Sequence, residues 1–329
     1  MWNWSGASHL TWGNGLAMLI GTVIVLLLAL GVVTYTIYAQ RKILGWMQGR
    51  IGPNRLGPFG LMQTMADILK LLIKEDIIPE KADRSLFLLA PILAFVPSFM
   101  VLSVIPFSRT HVFTANISIG LLFYIALSAI TIHGVMLGGW ASNNKYALIG
   151  GMRSAAQMLS YEVPLGMSVL GVALMAGSLN LNTIVMSQHT GWWNIVPQFL
   201  GFCIFLVAST AELNRTPFDL PEAESELIAG YHIEYSGFRM AFFMLTEYVY
   251  LFAMAALCAT LFLGGWSGPF LPGWLWFAIK VFAFIFFQFW IQNTMPRIRA
   301  DHLMSFSWKV LLPLSLFNIV LTAVFKTIV

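Results

Sequence analysis

Charged residues are scarce in this 329-residue sequence: Asp, Glu, Lys and Arg together make up 10% of it, whereas hydrophobic residues make up 58%. Soluble globular chains carry about 25% charged residues, so this chain has too few polar side chains to cover a water-soluble core of its size. The mean hydropathy is +0.78. Both values indicate that the lipid bilayer is the solvent for most of the chain.

Cysteine is almost absent as well. Cys203 and Cys258 both lie in apolar runs and match no metal-binding spacing. An iron–sulfur cluster normally takes four cysteines or their equivalents, so this chain alone is not expected to bind one. Neither a G-x-G-x-x-G motif after a strand nor a G-x-x-x-x-G-K-[S/T] motif is present. We therefore expect no nicotinamide, flavin, nucleotide or metal site of the usual kinds, and, without a basic and aromatic stripe, no nucleic-acid partner.

Long apolar runs fill most of the sequence. At 1.5 Å per residue, the first run would reach about 36 Å as a helix, enough to cross the bilayer core. Met1–Asn14 contains no Lys or Arg, which argues against a cleavable signal peptide. We predict an all-α polytopic membrane protein with about eight transmembrane helices. The predicted spans are Gly15–Tyr38, Leu86–Phe107, Ile117–Leu137, Ala156–Ala176, Trp192–Ala211, Met240–Leu263, Leu275–Ile291 and Trp308–Val324.

Basic residues are distributed unevenly between the loops. If the spans alternate, fourteen of the eighteen Lys and Arg residues lie on one side; only Arg109 and Lys326 lie on the other, while Lys280 and Lys309 fall within or at the edge of spans. This asymmetry predicts that the basic loops face the cytoplasm, with both termini outside, in a bacterial-type plasma membrane. All fourteen Asp and Glu residues lie in the same loops or in spans leading to them. The cytoplasmic side is therefore expected to carry the chemistry or the partner.

The chain is expected to form a single membrane domain, residues 1–329, with inner loops at about 40–85, 138–157, 211–239 and 292–306. The first loop begins with Gly- and Pro-rich turns at Arg50–Pro58. A helix is predicted at Leu61–Glu75, whose polar stripe and apolar remainder are typical of a helix in the membrane interface. Exposure of these charges to water is the alternative interpretation. The stripe consists of Gln63, Asp67, Lys70 and Lys74.

The third inner loop is rich in acids. Asp219, with Glu222 three residues later and a proline between them, forms a capping pattern that predicts a short helix at about Leu220–Gly230. On that helix Glu222 and Glu226 would share a face, whereas Glu224 would point elsewhere. Carboxylates this close release their protons in coupled steps, which suits a proton relay or a redox-linked switch. An acidic docking surface or a solvated loop would give the same pattern.

Two further carboxylates lie in predicted spans. Glu162 is near the start of the fourth span and Glu247 is within the sixth. Ionisable residues within a span are costly and usually functional, but a salt bridge at the interface would also explain Glu162. In the fourth loop, Arg297 and Arg299 could balance these acids, bind a polar ligand head or serve as ordinary inner-face anchors.

Charged strings in all four inner loops carry a family resemblance over nearly the whole chain. They are Gln48–Gly60 with Ala66-Asp67, Lys70-Leu71 and Lys74-Glu75; Trp140–Tyr146 with Ser160-Tyr161-Glu162; Glu212–Leu227 with His232–Gly237; and Pro296–Asp301. On these strings the sequence resembles the H-subunit family of NADH–quinone oxidoreductase, respiratory complex I, to which the mitochondrially encoded subunit 1 belongs.

The resemblance implies a membrane subunit beneath the peripheral arm that forms much of a quinone chamber and contributes to the enzyme only within the complex. It implies quinone as the substrate, and as partners the peripheral-arm iron–sulfur subunits, antiporter-like membrane subunits and lipid. Family positions lining or flanking the chamber correspond to Arg41, Arg50, Asp67, Lys70, Arg297 and Arg299. The acidic path coupling quinone chemistry to proton translocation corresponds to Glu162, Glu212, Asp219, Glu222, Glu224, Glu226, Glu234 and Glu247.

One residue departs from the family pattern. Gln40 stands where many members have a glutamate beside the Arg41-Lys42 pair. Since an amide does not exchange a proton, an acid role at this position is absent here. Three other functions fit the sequence: the homologous subunit of a membrane-bound hydrogenase-type complex, a stand-alone ion transporter, or a structural anchor for soluble redox subunits.

Overall fold

The computed structural model describes residues 12–108, 117–189, 191–221 and 227–328, and within these ranges the regular elements are helical. Short 3-10 turns occupy Pro58–Gly60 and Gly230–His232, and a π turn at Ser307–Leu311 joins the last two helices. The helices are α1 (Trp12–Met47), α2 (Gln63–Ile73), α3 (Arg84–Leu102), α4 (Gly120–Ala141), α5 (Lys145–Ala176), α6 (Leu181–His189), α7 (Phe199–Glu212), α8 (Gly237–Leu261), α9 (Gly273–Thr294), α10 (Ala300–Phe306) and α11 (Leu312–Ile328).

Six helical stretches in the described residues are long and apolar enough to cross a membrane: α3, α4, α5, α8, α9 and the continuous stretch Ala300–Thr327. The predicted all-α membrane fold is therefore confirmed. Helix α1 has 36 residues and contains the first predicted span. Helix α7 has 14 residues, about 21 Å, and is shorter than the predicted span Trp192–Ala211 because turns and bends occupy residues 191–198.

The second inner loop is much shorter than predicted from the sequence. Within residues 138–157, α4 continues to Ala141 and α5 begins at Lys145, so only three residues connect the two helices. The Asn144 side chain accepts a hydrogen bond from the backbone N–H of Tyr146 (2.9 Å), which caps α5. Helix α5 then runs for 32 residues until Gly177 ends it with φ of 68°. It therefore links the inner loops to the interior of the bundle.

Helix α8 lies at the centre of the bundle. Every side chain from Ala253 to Leu261 is buried, and α1, α2, α3, α6 and α9 all pack against this helix. Many of these residues are small, which lets neighbouring helices approach closely in the absence of water. Cys258 is one of them and is a free thiol, as is the half-buried Cys203. Within the part of the chain that the structure describes, neither cysteine belongs to a group of three or more His, Cys, Asp or Glu side chains that could hold a metal ion.

A buried amide cluster joins α5, α7 and α11. Asn318 donates through Nδ2 to Gln198 Oε1 (3.0 Å), and Gln198 donates through Nε2 to Thr322 Oγ1 (2.6 Å). A Cβ atom at Gly171 or Gly201 would lie 2.9 or 3.0 Å from the Asn318 Nδ2 atom. The two glycines therefore make room for the amides, whose hydrogen bonds join the start of α7 to α11 where lipid offers no alternative partner, while α5 packs closely against them.

Candidate functional site

The four inner loops meet on one face of the bundle. The first and second loops are joined by Asn143, which donates through Nδ2 to the carbonyl of Lys81 (2.9 Å). The first and third loops are joined by an ion pair between Asp76 and Arg239 (3.2 Å). Residues far apart in the sequence are therefore held together on this face.

Hydrogen bonds extend the same face to the remaining loops. Asn144 of the second loop donates through Nδ2 to Glu234 Oε1 in the third loop (2.6 Å). The backbone N–H of Ile298 in the fourth loop donates to the carbonyl of Pro217 in the third (3.0 Å). Contacts between described residues thus join all four predicted inner loops to one another.

A cavity of about 310 Å³ opens where the first loop folds back on α1. A Cβ atom at Gly45 would lie 2.9 Å from the backbone N of Gly52, and one at Gly52 would lie 2.9 Å from the carbonyl O of Arg41. These two glycines therefore allow the loop backbone to pass close to the helix. Two arginines give the cavity a positive charge. Its lining residues are Arg41, Leu44, Gly45, Arg50, Ile51, Gly52 and Pro53.

Helix α2 is joined to this cavity through one of its lining arginines. Asp67 of α2 forms an ion pair with Arg41, and Gln63 donates to the other Asp67 oxygen (3.3 Å). Lys70 is exposed and is not among the lining residues. The apolar side chains of Leu69 and Leu72 are exposed as well, which fits a helix lying in the membrane interface. The structure therefore groups Arg41, Arg50 and Asp67, and leaves Lys70 at the margin.

The two arginines of the fourth loop do not line the cavity. Arg297 donates through Nε to the backbone carbonyl of Asp219 (2.8 Å) and forms an ion pair with the Asp219 carboxylate (3.2 Å). Arg299 pairs with Asp301 (2.9 Å), and both side chains are more than 70% exposed. Arg297 therefore joins the third and fourth loops, whereas the Arg299 side chain is exposed at the surface of the fourth loop.

Uncharged amides occupy the contact between α1 and α9. Gln40, the residue that departs from the family pattern, donates through Nε2 to Gln292 Oε1 (3.1 Å). One helical turn earlier in α9, Gln288 is 1% exposed, and neither of its amide atoms has a hydrogen-bond partner. The Oε1 atom of Gln40 is also buried without a partner. Because such groups rarely stay unpaired, this contact suits a water molecule or a ligand that carries carbonyl or hydroxyl groups.

Glu212 is the most deeply buried carboxylate among the described residues. It ends α7, is 1% exposed, and accepts a hydrogen bond at Oε1 from the Tyr250 hydroxyl of α8 (2.7 Å). Glu162 of α5 lies within electrostatic range of Glu212, and His133 of α4 lies within range of Glu162. Two of the predicted path carboxylates therefore interact electrostatically inside the bundle.

Glu247 has an arginine as its partner. Arg215, only 3% exposed, contacts Glu247 Oε1 through Nη2 (3.1 Å). The guanidinium carbon also lies 5.0 Å from the ring centre of Tyr248 and 5.4 Å from that of Phe289, which are cation–π distances. The third loop is thereby fixed against α8 and α9 through one buried charge and two aromatic rings.

Two titratable side chains near Glu234 are perturbed by burial. Burial lowers the pKa of His232 to about 4, so the imidazole is neutral at pH 7. Burial raises the pKa of the Tyr235 hydroxyl well above its usual value, and the Tyr235 ring stacks on that of Phe87 with 4.1 Å between centroids. This part of the third loop therefore has a packed interior of its own.

The structure brings only part of the predicted acidic path together. Glu162 and Glu212 interact electrostatically, Asp219 and Glu247 each pair with an arginine, and Glu234 pairs with an amide. Five of the eleven residues of the helix predicted at Leu220–Gly230, positions 222–226, lie outside the described residues. The same is true of three predicted path residues: Glu222, Glu224 and Glu226.

Several site contacts were not predicted from the sequence. Gln157 of α5 donates through Nε2 to the backbone carbonyls of Ala211 (2.7 Å) and Phe218 (2.6 Å), which anchors the start of the third loop. Tyr250 and Gln292 are likewise absent from the predicted set. The available signal was weak: each is a polar residue within or beside an apolar run, and its partner lies on another helix.

Together, these features define a polytopic membrane protein in which charged loops interlock on one face and carboxylates lie buried behind them. A family model described as NADH dehydrogenase matches residues 20–323. The chain therefore belongs to the NADH dehydrogenase family, and the resemblance inferred from the loop strings is confirmed.

Named relatives agree with this family. The chain is 62% identical over 319 residues to the NADH-quinone oxidoreductase H-subunit of Brevibacillus brevis, covering 95% of this chain and 94% of the relative. It is 63% identical over 321 residues to the protein of the same name from Geobacillus kaustophilus, covering 96% of each. With that of Bacillus cytotoxicus it shares 60% identity over 324 residues and 97% of each. These relatives are subunits of an enzyme complex.

Proposed function

We propose that this chain is a membrane subunit of proton-translocating NADH-quinone oxidoreductase, that it forms much of the quinone-binding chamber, and that its buried acids couple quinone reduction to ion translocation. The observation that carries the proposal is that a positively charged cavity and a buried carboxyl group occur in the same helix bundle. The cavity containing Arg41 and Arg50 and the buried Glu212–Tyr250 pair belong to one bundle whose inner loops interlock. The names of the relatives supply quinone as the substrate class.

Quinone binding is assigned to the α1–α2 region. A long isoprenoid tail requires access from lipid, and α2 exposes apolar residues beside the cavity. The quinone head has two carbonyl oxygens, which Arg41 and Arg50 can approach as hydrogen-bond donors. The amides of Gln40 and Gln288 offer further partners along α1 and α9. The predicted chamber residues Asp67, Lys70, Arg297 and Arg299 would orient these groups or flank them.

Coupling is assigned to electrostatics acting through the third loop. Electrons from an iron–sulfur subunit would reduce the quinone, and each electron adds negative charge until a proton follows. That charge would act on Arg41 and Asp67 first, and then on the ion pair between Arg297 and Asp219. The third loop leads from there to Glu212 and Glu162, and the remaining acids Glu222, Glu224, Glu226, Glu234 and Glu247 complete the proposed path.

The partners and orientation follow from the same face. The interlocked loops would face the cytoplasm and bind the peripheral-arm iron–sulfur subunits, with both termini on the opposite side. The exposed Arg299–Asp301 pair is available for such an interface. Antiporter-like subunits would contact the membrane helices and receive the coupling signal.

Two substitutions test the proposal. Arg41→Met is expected to raise the KM for quinone about tenfold, since a lost hydrogen bond from a charged group costs about 1.5–3 kcal/mol. Glu212→Gln is expected to reduce coupled turnover about tenfold or more while NADH oxidation by a water-soluble acceptor persists. Both are measured on the purified complex in proteoliposomes with a pH-sensitive dye.

The exposed acid Glu80 provides a matched control. Glu80→Gln makes the same chemical change as Glu212→Gln at an inner-loop site outside the proposed path, so it should leave both activities unchanged. Normal quinone reduction and normal pumping in both test variants would contradict the proposal.

A further inference from the structure

Two buried oxygen atoms near the end of α7 have no hydrogen-bond partner: Oε2 of Glu212 and the hydroxyl oxygen of Tyr124. Glu212 is 1% exposed and Tyr124 is fully buried. Buried polar atoms without partners are rare because nothing replaces the hydrogen bonds they made in water. Two of them in one region of a membrane bundle require an explanation.

The neighbouring contacts fix the orientation of the carboxyl group. Tyr250 donates its hydroxyl to Glu212 Oε1 at 2.7 Å, so Oε1 acts as an acceptor. Tyr250 also lies beside Ser128 of α4. Tyr124 precedes Ser128 by four residues and therefore shares its face of α4, and it lies within electrostatic range of both Glu212 and Tyr250. The two unpaired oxygens thus belong to one buried cluster formed by α4, α7 and α8.

The surrounding charges disfavour an ionised Glu212. Among the described residues, no ion pair reaches its carboxyl group. The titratable groups that act on it are Glu162 of α5, Tyr124 of α4 and Tyr250 of α8, and none of them is a cation. A carboxylate buried without a cation, with a second carboxyl group nearby, is strongly unfavourable. A neutral carboxylic acid has an O–H to donate from Oε2.

We propose that Glu212 is held as a neutral carboxylic acid whose Oε2–H donates to one ordered water molecule, which the Tyr124 hydroxyl also binds. Tyr250 fixes the other carboxyl oxygen, so the cluster is an enclosed proton-holding site. A buried water needs two to four polar partners, and the two unpaired oxygens supply two. Tyr124 and Tyr250 act as positioning residues. The inference rests on the proposed function for its purpose: this is where the acidic path stores a proton.

Infrared spectroscopy of the purified complex tests the site directly, because a protonated carboxyl group has its own C=O stretching band. The spectrum of each variant is subtracted from that of the wild type. The wild type is expected to show such a band at neutral pH, and Glu212→Gln should remove it. Tyr250→Phe should move the band to higher frequency, since a hydrogen bond to the carbonyl oxygen lowers that frequency. Tyr124→Phe should also move it upward, by weakening the hydrogen bond that the O–H donates through the water.

Tyr161→Phe is the matched control. Tyr161 is a buried tyrosine whose hydroxyl donates to the carbonyl of Leu303 (2.9 Å), outside the Glu212 cluster. Its removal should leave the band in place. If wild type lacks the band, or neither tyrosine substitution at the cluster moves it, the proposal is overturned. Should one of the two variants fail to assemble, the other carries the test alone.

The spectroscopic result is distinguishable from failure of the proposed function. If Glu212→Gln abolishes coupling but wild type shows no protonated band, the acidic path stands and the neutral site is wrong. If the band behaves as expected while Glu212→Gln pumps normally, the site exists and its assigned purpose is wrong.

Discussion

Among single residues, His232 shows how burial controls a polar group of the third loop. Its ring packs edge-on against that of Tyr231, with 4.9 Å between the ring centroids. Burial lowers the pKa of His232 from 6.5 to about 4. The unfolded loop takes up a proton near pH 6.5, whereas the folded loop does not do so until about pH 4. The folded form is therefore fully favoured above pH 6.5 and loses stability as the pH falls toward 4.

Hydrogen exchange measures this effect locally. Lowering the pH from about 7.5 to about 5 should reduce the free energy of opening of residues 230–237 by about 2 kcal/mol, after correction for intrinsic exchange rates. His232→Gln should remove most of that dependence because glutamine does not titrate. His302, which is exposed on α10, supplies the control substitution His302→Gln. An unchanged pH dependence in His232→Gln would contradict the expectation.

The sequence predicted individual charged residues better than their partners. Asp67 was predicted to line or flank a chamber from the family resemblance, and the structure adds that its carboxylate pairs with Arg41 of α1. The Tyr250–Glu212 and Gln40–Gln292 contacts join residues 38 and 252 positions apart. No local periodicity records such pairs, because tertiary packing alone brings them together. The interior of the site was therefore less predictable than its charged rim.

At the scale of the helices, most transmembrane spans could be predicted from composition. A helix crossing lipid needs about twenty mainly apolar residues, and that demand leaves a strong signal. The helix ends were less predictable. The charged string after Trp140 suggested a long loop, but its residues continue α4 and α5 across a three-residue connection. Polar residues at a membrane surface suit a helix end as well as a loop, so composition alone did not separate the two.

Lys280 shows that a charged residue inside a helix can hold a loop in place. On α9 it is 6% exposed, and its Nζ donates to the carbonyls of Leu263 (2.5 Å), Gly265 (3.0 Å) and Ser267 (2.6 Å). The ammonium also lies 4.4 Å from the ring centre of Trp193. The three N–H groups of the ammonium thus donate to three backbone carbonyls, so one side chain holds the connection between α8 and α9 in place.

Removing this ammonium should destabilise the connection. Lys280→Met is expected to cost about 1–3 kcal/mol because it leaves buried carbonyls without donors, and to lower the melting temperature of the purified protein in detergent. The exposed Lys309 is the matched control, since Lys309→Met removes the same charge with no described hydrogen bond. Equal melting temperatures for both variants and wild type would count against the role of Lys280.

At the scale of the whole molecule, the loops that hold most of the basic residues are the same loops that contact one another. The alternating spans predicted one basic side, and hydrogen bonds and ion pairs join the loops of that side to one another. The opposite surface holds the fully exposed Phe270 between α8 and α9. The positive-inside rule predicts that this interlocked face is the cytoplasmic one.

Cysteine labelling tests that orientation. In a background in which Cys203 and Cys258 are replaced by alanine, a membrane-impermeant maleimide should label Phe270→Cys in intact cells. It should label Glu80→Cys only after the cells are opened, because Glu80 lies in the first inner loop. Labelling of Glu80→Cys in intact cells, with Phe270→Cys protected, would reverse the assignment.

The first loop contacts the very helix from which it emerges. The backbone N–H of Arg50 donates to the carbonyl of Gly45 (2.9 Å), and the Tyr38 hydroxyl donates to the carbonyl of Phe59 (2.8 Å). Such neighbouring contacts form fast, since closing a short segment costs little entropy. The proposed quinone site thus lies within one early stretch of the chain, which can fold on itself while later helices are still being synthesised. Substitutions that break these contacts are therefore expected to reduce the amount of folded protein in the membrane as well as its activity.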